Sequence, residues 1–390
     1  MKSLQKNKIN KTIVVISDLH LGAGLIVNKR KNFLEDFQYD KELIEFIEYH
    51  GSLHYQDRAV ELIINGDFLD LLAVPFVPYF DDEFWSEEAS LEKLRMIVKA
   101  HPGVFSALRN FVTYPNNKIV YILGNHDSEL IFESLREYLY QQFPEEDRYK
   151  FEIRLNTHEP YIPVEGIVIK HGHEYEMAHH YDENSITVDQ DGKRYFIPPW
   201  GSYYVAKVIN KFKESRDYIN AVRPINKFLI NGIIYDSLYT VRFAFANFYY
   251  FLMVRFIMIF KQNKGFFKVL ENVSKEIQLF QNYETLTEEY VTKNEEVHAL
   301  IVGHTHDPIF REYEDGSKFI NTGTWTKMYN LDFGKNSVGA RLTFAKVDIH
   351  DRDVLEQESD SEKVERFEHY TIQLNEWRGK TDLPFKEFRY

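Results

Sequence analysis

Residues Lys118 to Asp127 read Lys-Ile-Val-Tyr-Ile-Leu-Gly-Asn-His-Asp, and this stretch is the strongest indicator of the fold. A short, continuous apolar run of this kind is typical of a strand that is buried on both faces of a sheet. The glycine and asparagine that follow it are turn residues, but a turn has no need of the histidine and aspartate after them. The stretch therefore predicts a buried strand that ends in a loop carrying side chains for chemistry.

The same arrangement of an apolar run followed by polar residues recurs along the chain. The other runs are Thr12–Ile16 before Asp18 and His20, Val60–Ile64 before Gly66 and Asp67, Ile167–Lys170 before His171 and His173, and Ala299–Val302 before His304 and His306. Segments with helical periodicity lie between the early runs, at Asp40–His50 and Glu87–Arg109. Alternating strands and helices predict an α/β layered core, and open α/β sheets place their ligands beyond the strand ends. We therefore expect the polar residues to share one site.

Composition narrows the class of protein. Of 390 residues, 44% are hydrophobic and 27% are charged, so the chain can bury a sizeable core and is not globally disordered. A chain of this length predicts about two to three domains. The absence of cysteine excludes a disulfide framework, a thiolate zinc site and a thiol nucleophile. Any metal must therefore be held by histidine, aspartate, glutamate or asparagine.

Charge divides the chain into two parts. It has 47 basic and 60 acidic residues, a net charge of −13. Between residues 200 and 270, eleven basic residues stand against three acidic ones, a local charge of +8, so the rest of the chain carries −21. This shift predicts a helical, basic and aromatic insertion at 176–296 within a catalytic domain formed by 1–175 and 297–390. The acidic catalytic part argues against nucleic acid as a partner.

The aromatic stretch of the insertion leaves two interpretations open. Tyr235 to Phe260 contains ten aromatic residues, and its longest uncharged core, Phe243–Val254, is too short for a bilayer span of about twenty residues. One interpretation is a helix buried against other helices of the insertion. The other is a lid or membrane-docking subdomain, with aromatic side chains toward acyl chains and lysine and arginine toward lipid phosphates.

The lid interpretation predicts peripheral membrane contact through residues 200–270. The apolar run near the N-terminus, Ile13–Ile16, is far too short for the core of a signal sequence. We therefore expect a cytoplasmic protein whose membrane contact, if the lid forms one, is at the inner face.

The polar residues at the strand ends suit hard and borderline cations. Carboxylate and amide oxygens together with neutral imidazoles bind Mn²⁺, Fe²⁺, Zn²⁺ or Mg²⁺. Two such ions about 3.5–4 Å apart generate hydroxide near neutral pH and clamp the attacking and leaving oxygens of an in-line displacement at phosphorus. Each fragment alone has a structural explanation, but their repetition at strand ends leaves little room for one. The sequence therefore predicts two divalent metal ions, with Mn²⁺ as the first choice.

The residues resemble those of the calcineurin-like metallophosphoesterases. The family pattern D-x-H, G-D, G-N-H-D, H-G-H and G-H-x-H is present at Asp18/His20, Asp67, Asn125/His126/Asp127, His171 and His304/His306. The resemblance covers roughly residues 10–175 and 297–330. It implies a four-layer α/β/β/α sandwich, here with a large helical insertion.

The resemblance also implies a role for each motif residue. Asp18, His20 and His306 would hold one metal, Asp67 would bridge, and Asn125, His171 and His304 would complete the second. A hydroxide bridging the metals would attack phosphorus in line. His126 would face the phosphoryl group as transition-state stabiliser or proton donor, and Asp127 would orient His126.

Within the family, the chain looks closest to the branch that contains UDP-2,3-diacylglucosamine pyrophosphatase. The likeness lies in Ser17–Gly22 and Gly66–Leu72, and enzymes of that branch carry a helical insertion over a lipid substrate. The chain departs from the branch at His126, where arginine is usual, and at His173, where an acidic residue is usual. Its insertion is also much larger, so the substrate within the family stays open.

These observations predict a metal-dependent phosphoesterase or pyrophosphatase that acts on a phosphate-containing small molecule, lipid-linked or otherwise amphiphilic. Two alternatives remain: a DNA nuclease of the same superfamily, and a non-catalytic scaffold that binds a membrane or a partner. His173 and His179 are predicted to contact substrate near the metals. For His179 the competing interpretation is a solvated helix start.

Overall fold

The computed structural model describes residues 9–75, 81–176, 178–179, 186–223, 225–261, 287, 289–294, 296–331, 338–350, 370–379 and 382–384. The predicted insertion at 176–296 is therefore described in part, and much of the aromatic stretch beyond residue 253 lies outside the described side chains.

The strands are short and fall where apolar runs end in turns. In chain order and within the described residues they are β1 (Ile9–Ile16), β2 (Ile26–Val27), β3 (Arg30–Lys31), β4 (Ala59–Asn65), β5 (Asn117–Ile122), β6 (Phe151–Arg154), β7 (Tyr161–Val164), β8 (Ile167–Ile169), β9 (Thr187–Gln190), β10 (Lys193–Phe196), β11 (Val222–Arg223), β12 (Ala299–Val302), β13 (Ile309–Glu312), β14 (Lys318–Asn321), β15 (Met328–Asn330), β16 (Val338–Gly339), β17 (Thr343–His350), β18 (Tyr370–Trp377) and β19 (Asp382–Pro384).

Two sheets form the body of the protein. The first has seven strands in the order β19-β18-β17-β1-β4-β5-β6, and the second has five in the order β13-β14-β12-β8-β7. Within the first sheet β1, β4 and β5 run parallel, and within the second β8, β12 and β14 run parallel. The remaining pairs are the small ribbons β2–β3 and β9–β10 and the three-stranded unit β11-β15-β16.

The two sheets pack face to face. Ile13 and Val15 of β1 lie in one apolar cluster with Ile169 of β8 and Ile301 of β12, all fully buried. The alternate residues of β1, Val14 and Ile16, belong to a second cluster on the opposite face of the sheet. This alternation follows from the two-residue period of a strand, and it shows that β1 is buried on both faces.

Helices cover the outer faces of the sheets. Within the described residues they are α1 (Asp40–Gly51), α2 (Glu87–Ala100), α3 (Pro102–Thr113), α4 (Glu133–Tyr140), α5 (Trp200–Tyr204), α6 (Asn210–Lys213), α7 (Ile225–Tyr235) and α8 (Ser237–Lys261). Phe46 of α1 and Leu108 of α3 pack on the first sheet. Val291, in a short helical segment, packs on the outer face of the second sheet beside Leu300. The fold is an α/β sandwich, as the sequence predicts.

The helical segment predicted at Glu87–Arg109 is two helices. Helix α2 ends at Ala100, and α3 begins with Pro102 at its first position. Proline has no N–H to donate to the preceding turn, and it disfavours helical backbone at the residue before it. His101 accordingly leaves the helical region, with φ −118° and ψ 48°, and its side chain bonds to Asp40 at 2.7 Å.

A buried ion pair holds α2 to the loop after the Gly-Asn-His-Asp motif. Lys93 Nζ donates to Glu129 Oε1 at 2.6 Å, both side chains are at most 1% exposed, and Lys93 lies 3.8 Å over the Phe84 ring. Removing one partner leaves the other charge buried and uncompensated.

We expect Lys93→Met to lower the free energy of unfolding by about 3–5 kcal/mol, measured by urea denaturation. Arg95→Met is the matched control, because Arg95 forms an exposed pair with Glu92 on the same helix, and an exposed pair contributes about 0–1 kcal/mol. Equal losses for the two variants would contradict the prediction.

Candidate metal centre

The five motif loops meet at one edge of the sandwich. Three of them follow the parallel strands β1, β4 and β5, and two follow the parallel strands β8 and β12. Because the carboxyl ends of parallel strands lie at the same edge, their loops converge although they are far apart in the sequence. The side chains form overlapping groups whose potential ligand atoms lie within 4.8 Å of one another: Asp18, His20 and His306; His20, Asp67 and His126; Asp67, His171 and His304; Glu176, His179 and His304.

The first group surrounds the end of β1. The Nε2 atoms of His20 and His306 are 3.1 Å apart, and His306 Nε2 lies 3.4 Å from Asp18 Oδ1. Asp18 is held by the backbone N–H of His304, which donates to its carboxylate at 2.9–3.0 Å, and by Ser17 Oγ. Two imidazoles and a carboxylate therefore face a common point.

The second group surrounds the end of β4. Asp67 Oδ2 lies 3.4 Å from His171 Nε2 and 3.9 Å from His20 Nε2, so this carboxylate stands between the two groups. His171 Nδ1 bonds to the carbonyl of Asn65 at 2.7 Å, which fixes the ring with Nε2 toward Asp67. The backbone N–H of His126 donates to the other oxygen of Asp67 at 2.8 Å.

The backbone is strained at this edge. Of eight non-glycine residues with positive φ among the described residues, five belong to these groups, namely Asp18, His20, Asp67, His304 and His306, at φ values from 51° to 69°. Such conformations cost on the order of 1–3 kcal/mol each and persist where the surrounding structure over-determines them. Their concentration at one edge indicates a functional site.

Two glycines allow this close approach. A side chain at Gly66, which has φ 80°, would collide with the His171 ring, and one at Gly124 would collide with the Asp67 carboxylate. Glycine is therefore required at both positions.

Two buried polar atoms of the motif residues lack a hydrogen-bond partner. His171 Nε2 and Asn125 Oδ1 are inaccessible to solvent and make no hydrogen bond among the described residues. Buried polar atoms are normally paired, and an imidazole nitrogen and an amide oxygen are both suited to a cation as their partner.

The electrostatics of the site also fit a cation. Burial alone would lower the pKa of His20, but a hydrogen bond to Asp70 and the charges of Asp67 and Asp18 raise it to about 9. Burial likewise lowers the pKa of His171, but the charge of Asp67 outweighs burial and raises the pKa to about 10. The carboxylates thus attract positive charge strongly enough to outweigh burial, and metal ions would supply that charge in place of protons.

The partner of His126 differs from the prediction. The sequence predicted that Asp127 orients His126, whereas His126 Nδ1 is 2.9 Å from Asp70 Oδ1. Asp127 is fully buried and accepts bonds from Gly124 N at 2.6 Å, Tyr121 Oη at 2.7 Å and Phe68 N at 3.0 Å. Because its carboxylate is engaged by these three donors, Asp127 braces the loop instead.

The two histidines predicted to contact substrate lie in different surroundings. His173 is 1% exposed, beside His171 with ring centroids 5.3 Å apart, and is outside the cavity lining described below. Burial holds the pKa of His173 well below its usual range. His179 does line the cavity, and its Nε2 lies 3.7 Å from Glu176.

Glu176 extends the site in a way that sequence motifs missed. Its Oε2 lies 3.1 Å from His304 Nε2, and although burial opposes ionisation, His304 lowers the pKa of the carboxyl to about 2. Asp70 was also missed, although the sequence shows this second carboxylate three residues after Asp67.

A cavity of about 410 Å³ opens over these groups. One wall consists of motif residues, including His20, Asp67 and His126. The facing wall comes from Trp200–Lys213, where five π-helical residues, Val205–Ile209, join α5 to α6, and from the loop leading to β11. The residues contributed by this wall are Val205, Ile209, Asn210, Lys213, Asn220, Ala221 and Arg223. The cavity therefore has the size of a small-molecule site.

Helix α8 stands behind that wall. Phe243 and Tyr250 pack with Val208 and Ile219, whereas Phe245 and Phe248 on another face are 68% and 60% exposed. The predicted aromatic stretch thus has one packed face and one exposed face over its described part. Within the described residues, no helix combines the length and hydropathy needed to cross a membrane.

The sequence profile of the calcineurin-like phosphoesterase family matches residues 11–212, just over half of the chain. The chain belongs to this family. It is accordingly a metal-dependent phosphoester hydrolase. The match includes four of the motif loops, and the fifth, at His304 and His306, lies beyond it.

Solved structures of two phosphoesterases align with this family member over most of its length. A dimetal phosphatase from Danio rerio is 12% identical, with a TM-score of 0.38, over 96% of this chain and 98% of the other. A 5′-nucleotidase from Candida albicans is 11% identical, with a TM-score of 0.30, over 95% of this chain and 53% of the other. No curated protein sequence matches. Because both TM-scores are low, the family assignment rests on the sequence profile.

Proposed function

We propose that the motif residues hold two divalent metal ions that share Asp67. Asp18, His20 and His306 complete one site, and Asn125, His171 and His304 complete the other. The unpaired Nε2 of His171 and Oδ1 of Asn125 carry this proposal, because a phosphoesterase with no ion there would bury two unsatisfied polar atoms. The position of Asp67 between His20 and His171 supports its bridging role.

The proposed reaction is hydrolysis of a phosphoester or pyrophosphate. When bound, the two ions would acidify water and neutralise charge on the phosphoryl oxygens. His126, held through Nδ1 by Asp70, presents Nε2 for a proton to the leaving oxygen or a hydrogen bond to the phosphoryl group. Because Nδ1–H donates to Asp70, Nε2 can donate a proton or a hydrogen bond only when the ring carries both protons.

The test is turnover by metal-stripped protein before and after Mn²⁺ is restored. Three substrates are compared: a nitrophenyl phosphate ester, a UDP-linked diacyl sugar and single-stranded DNA. We expect hydrolysis only after Mn²⁺ is restored. The nitrophenyl ester and the UDP-linked sugar should be cleaved far faster than DNA, because a cavity of about 410 Å³ has the size of a small-molecule site. Faster cleavage of DNA would favour the nuclease alternative, and bound metal without turnover of any substrate would favour the scaffold.

We also propose that residues 176–296 form one insertion between catalytic segments 1–175 and 297–390. The pairing of β8 with β12 supports these boundaries, because Ile169 and Ile301 are partners in adjacent strands although the whole insertion separates them. An insertion that leaves and returns at neighbouring strands does not disturb the sandwich.

The insertion favours a substrate that is lipid-linked or otherwise amphiphilic, like the lipid substrates of the UDP-2,3-diacylglucosamine pyrophosphatase branch. The support is the exposed apolar side chains of α7 and α8, which are Ile230, Ile233, Ile234, Tyr235, Leu238, Val241, Phe245, Phe248, Tyr249, Phe251 and Leu252. Exposed apolar surface beside basic residues suits a membrane interface.

We expect the double variant Phe245→Ser/Phe248→Ser to lower the partition coefficient onto anionic phospholipid vesicles, measured by sedimentation, by about 30-fold. Each exposed aromatic ring contributes on the order of 1 kcal/mol at an interface, so two rings contribute about 2 kcal/mol. Tyr149→Ser is the matched control, because Tyr149 is 77% exposed outside the insertion. Wild-type protein that stays in the supernatant would refute membrane contact and leave the hydrolase proposal intact.

A further inference from the structure

Arg223 stands in the cavity wall without an anionic partner. Its guanidinium Nη1 donates to the carbonyls of Asn220 at 2.9 Å and Val222 at 3.1 Å. Within the described residues no carboxylate lies within ion-pair distance of Arg223, and the charge of Asp307 acts on it only from farther away. Two neighbouring cations of the insertion are paired instead, Lys213 with Asp36 and Arg216 with Asp236, both at 2.7 Å. Arg223 therefore differs from them in having its charge available.

The position of Arg223 is rigid. Its strand, β11, pairs in parallel with β15, and Leu331 N donates to the Arg223 carbonyl at 2.9 Å. The side chain lines the same cavity as His126 and His306. A cation that is fixed by the backbone in a partly buried cavity, with no carboxylate at ion-pair distance, loses hydration, so an arriving anion is a favourable partner.

A second atom in this wall points to a ligand. Asn220 lines the cavity, and its Nδ2 donates to Asp36 at 2.8 Å, but its Oδ1 is buried and has no hydrogen-bond partner among the described residues. An unpaired acceptor beside an unpaired cation fits a substrate portion that carries both a hydrogen-bond donor and an anion.

We propose that Arg223 forms a second anion subsite, with Asn220 Oδ1 beside it as an acceptor for a hydroxyl or N–H group of the same ligand, and that the substrate carries another phosphate group besides the one placed at the metals. The inference rests on the proposed hydrolase function. The planar guanidinium can bind two phosphate oxygens at once, which makes phosphate the preferred anion. The substrate class is therefore a phosphoanhydride or a bisphosphate.

The experiment uses the metal-loaded protein with free Mn²⁺ clamped in excess. Methylphosphonate and methylenediphosphonate, which differ by one phosphonate group, are compared as inhibitors of nitrophenyl phosphate hydrolysis. We expect Arg223→Gln to weaken inhibition by the diphosphonate about 10- to 100-fold more than inhibition by the monophosphonate, as for loss of a charged hydrogen bond. Arg223→Lys should recover part of the difference, and Arg216→Gln should leave the ratio unchanged.

Failure of the second anion subsite and failure of the hydrolase function give different results. Equal weakening of both inhibitors in Arg223→Gln, or no weakening, overturns the second subsite while turnover by the wild type sustains the hydrolase. Wild-type protein that binds Mn²⁺ without turnover refutes the hydrolase. In that case calorimetry of the two phosphonates decides whether the subsite exists, by the same expected ratio.

Discussion

Replacing Asp67 with asparagine is expected to lower kcat/KM by at least about 10³-fold, because several kcal/mol of charge stabilisation depend on the metal ions. Asp67 lies between the imidazoles of His20 and His171 and is the one carboxylate shared by two of the ligand groups around these rings. The amide is nearly isosteric but neutral, so both sites lose the charge that their ions require.

Metal content after gel filtration and steady-state kinetics on nitrophenyl phosphate measure the effect together. Asp189→Asn is the control, since the Asp189 side chain is 78% exposed and lies away from the cavity. A thermal melt shows whether the variant folds. An Asp67→Asn protein that retains two ions and most of its activity would rule out the bridging role.

The second large effect is expected at His126. His126→Gln should lower kcat by about 10²–10⁴-fold, the usual contribution of a positioned proton donor. Asp70→Asn should lower kcat about 10- to 100-fold, because Asp70 positions the His126 ring. Asp70 also lies 3.5 Å from Nδ1 of His20, so the variants are compared at equal metal content. The double variant should then be little worse than His126→Gln alone, since the two residues act as one unit.

The pH profile and the metal content distinguish a proton donor at His126 from a metal ligand. If His126 donates the proton, His126→Gln keeps both ions and loses the alkaline limb of the profile. Loss of an ion in His126→Gln would make His126 a ligand, which its position near His20 and Asp67 allows geometrically. If the losses in kcat of the two single variants add up in the double variant, Asp70 does not act through His126.

The bonds that Asp127 accepts are expected to contribute to stability. Burial first, and then the charge of Asp67, raises the pKa of Asp127 to about 6. The ionised group still accepts three bonds that brace the motif loop. Substitution of Asp127 should therefore act mainly on folding, and its effect on kcat follows from displacement of the loop.

Much of the fold could be predicted because it depends on local patterns. Val14 and Ile16 point to one side of β1 and Ile13 and Val15 to the other, and this two-residue period shows in the sequence as an unbroken apolar run. The polar residue types after each run also depend on short spacing, so the convergence of five loops could be expected before any distance was known. The break at His101 follows from Pro102 and is also a local effect.

Short-range spacing in the sequence specifies which chemical groups stand at the ends of the strands, and these groups mark the chain as a phosphoesterase of this family. Which of the groups meet depends on the tertiary structure. Asp70 rather than Asp127 pairs with His126, Glu176 joins His304, and Arg223 enters the cavity from a strand paired with β15. The physical reason is that periodicity encodes the face on which a side chain lies, whereas a contact across 56 or 128 residues depends on how strands pair and loops turn.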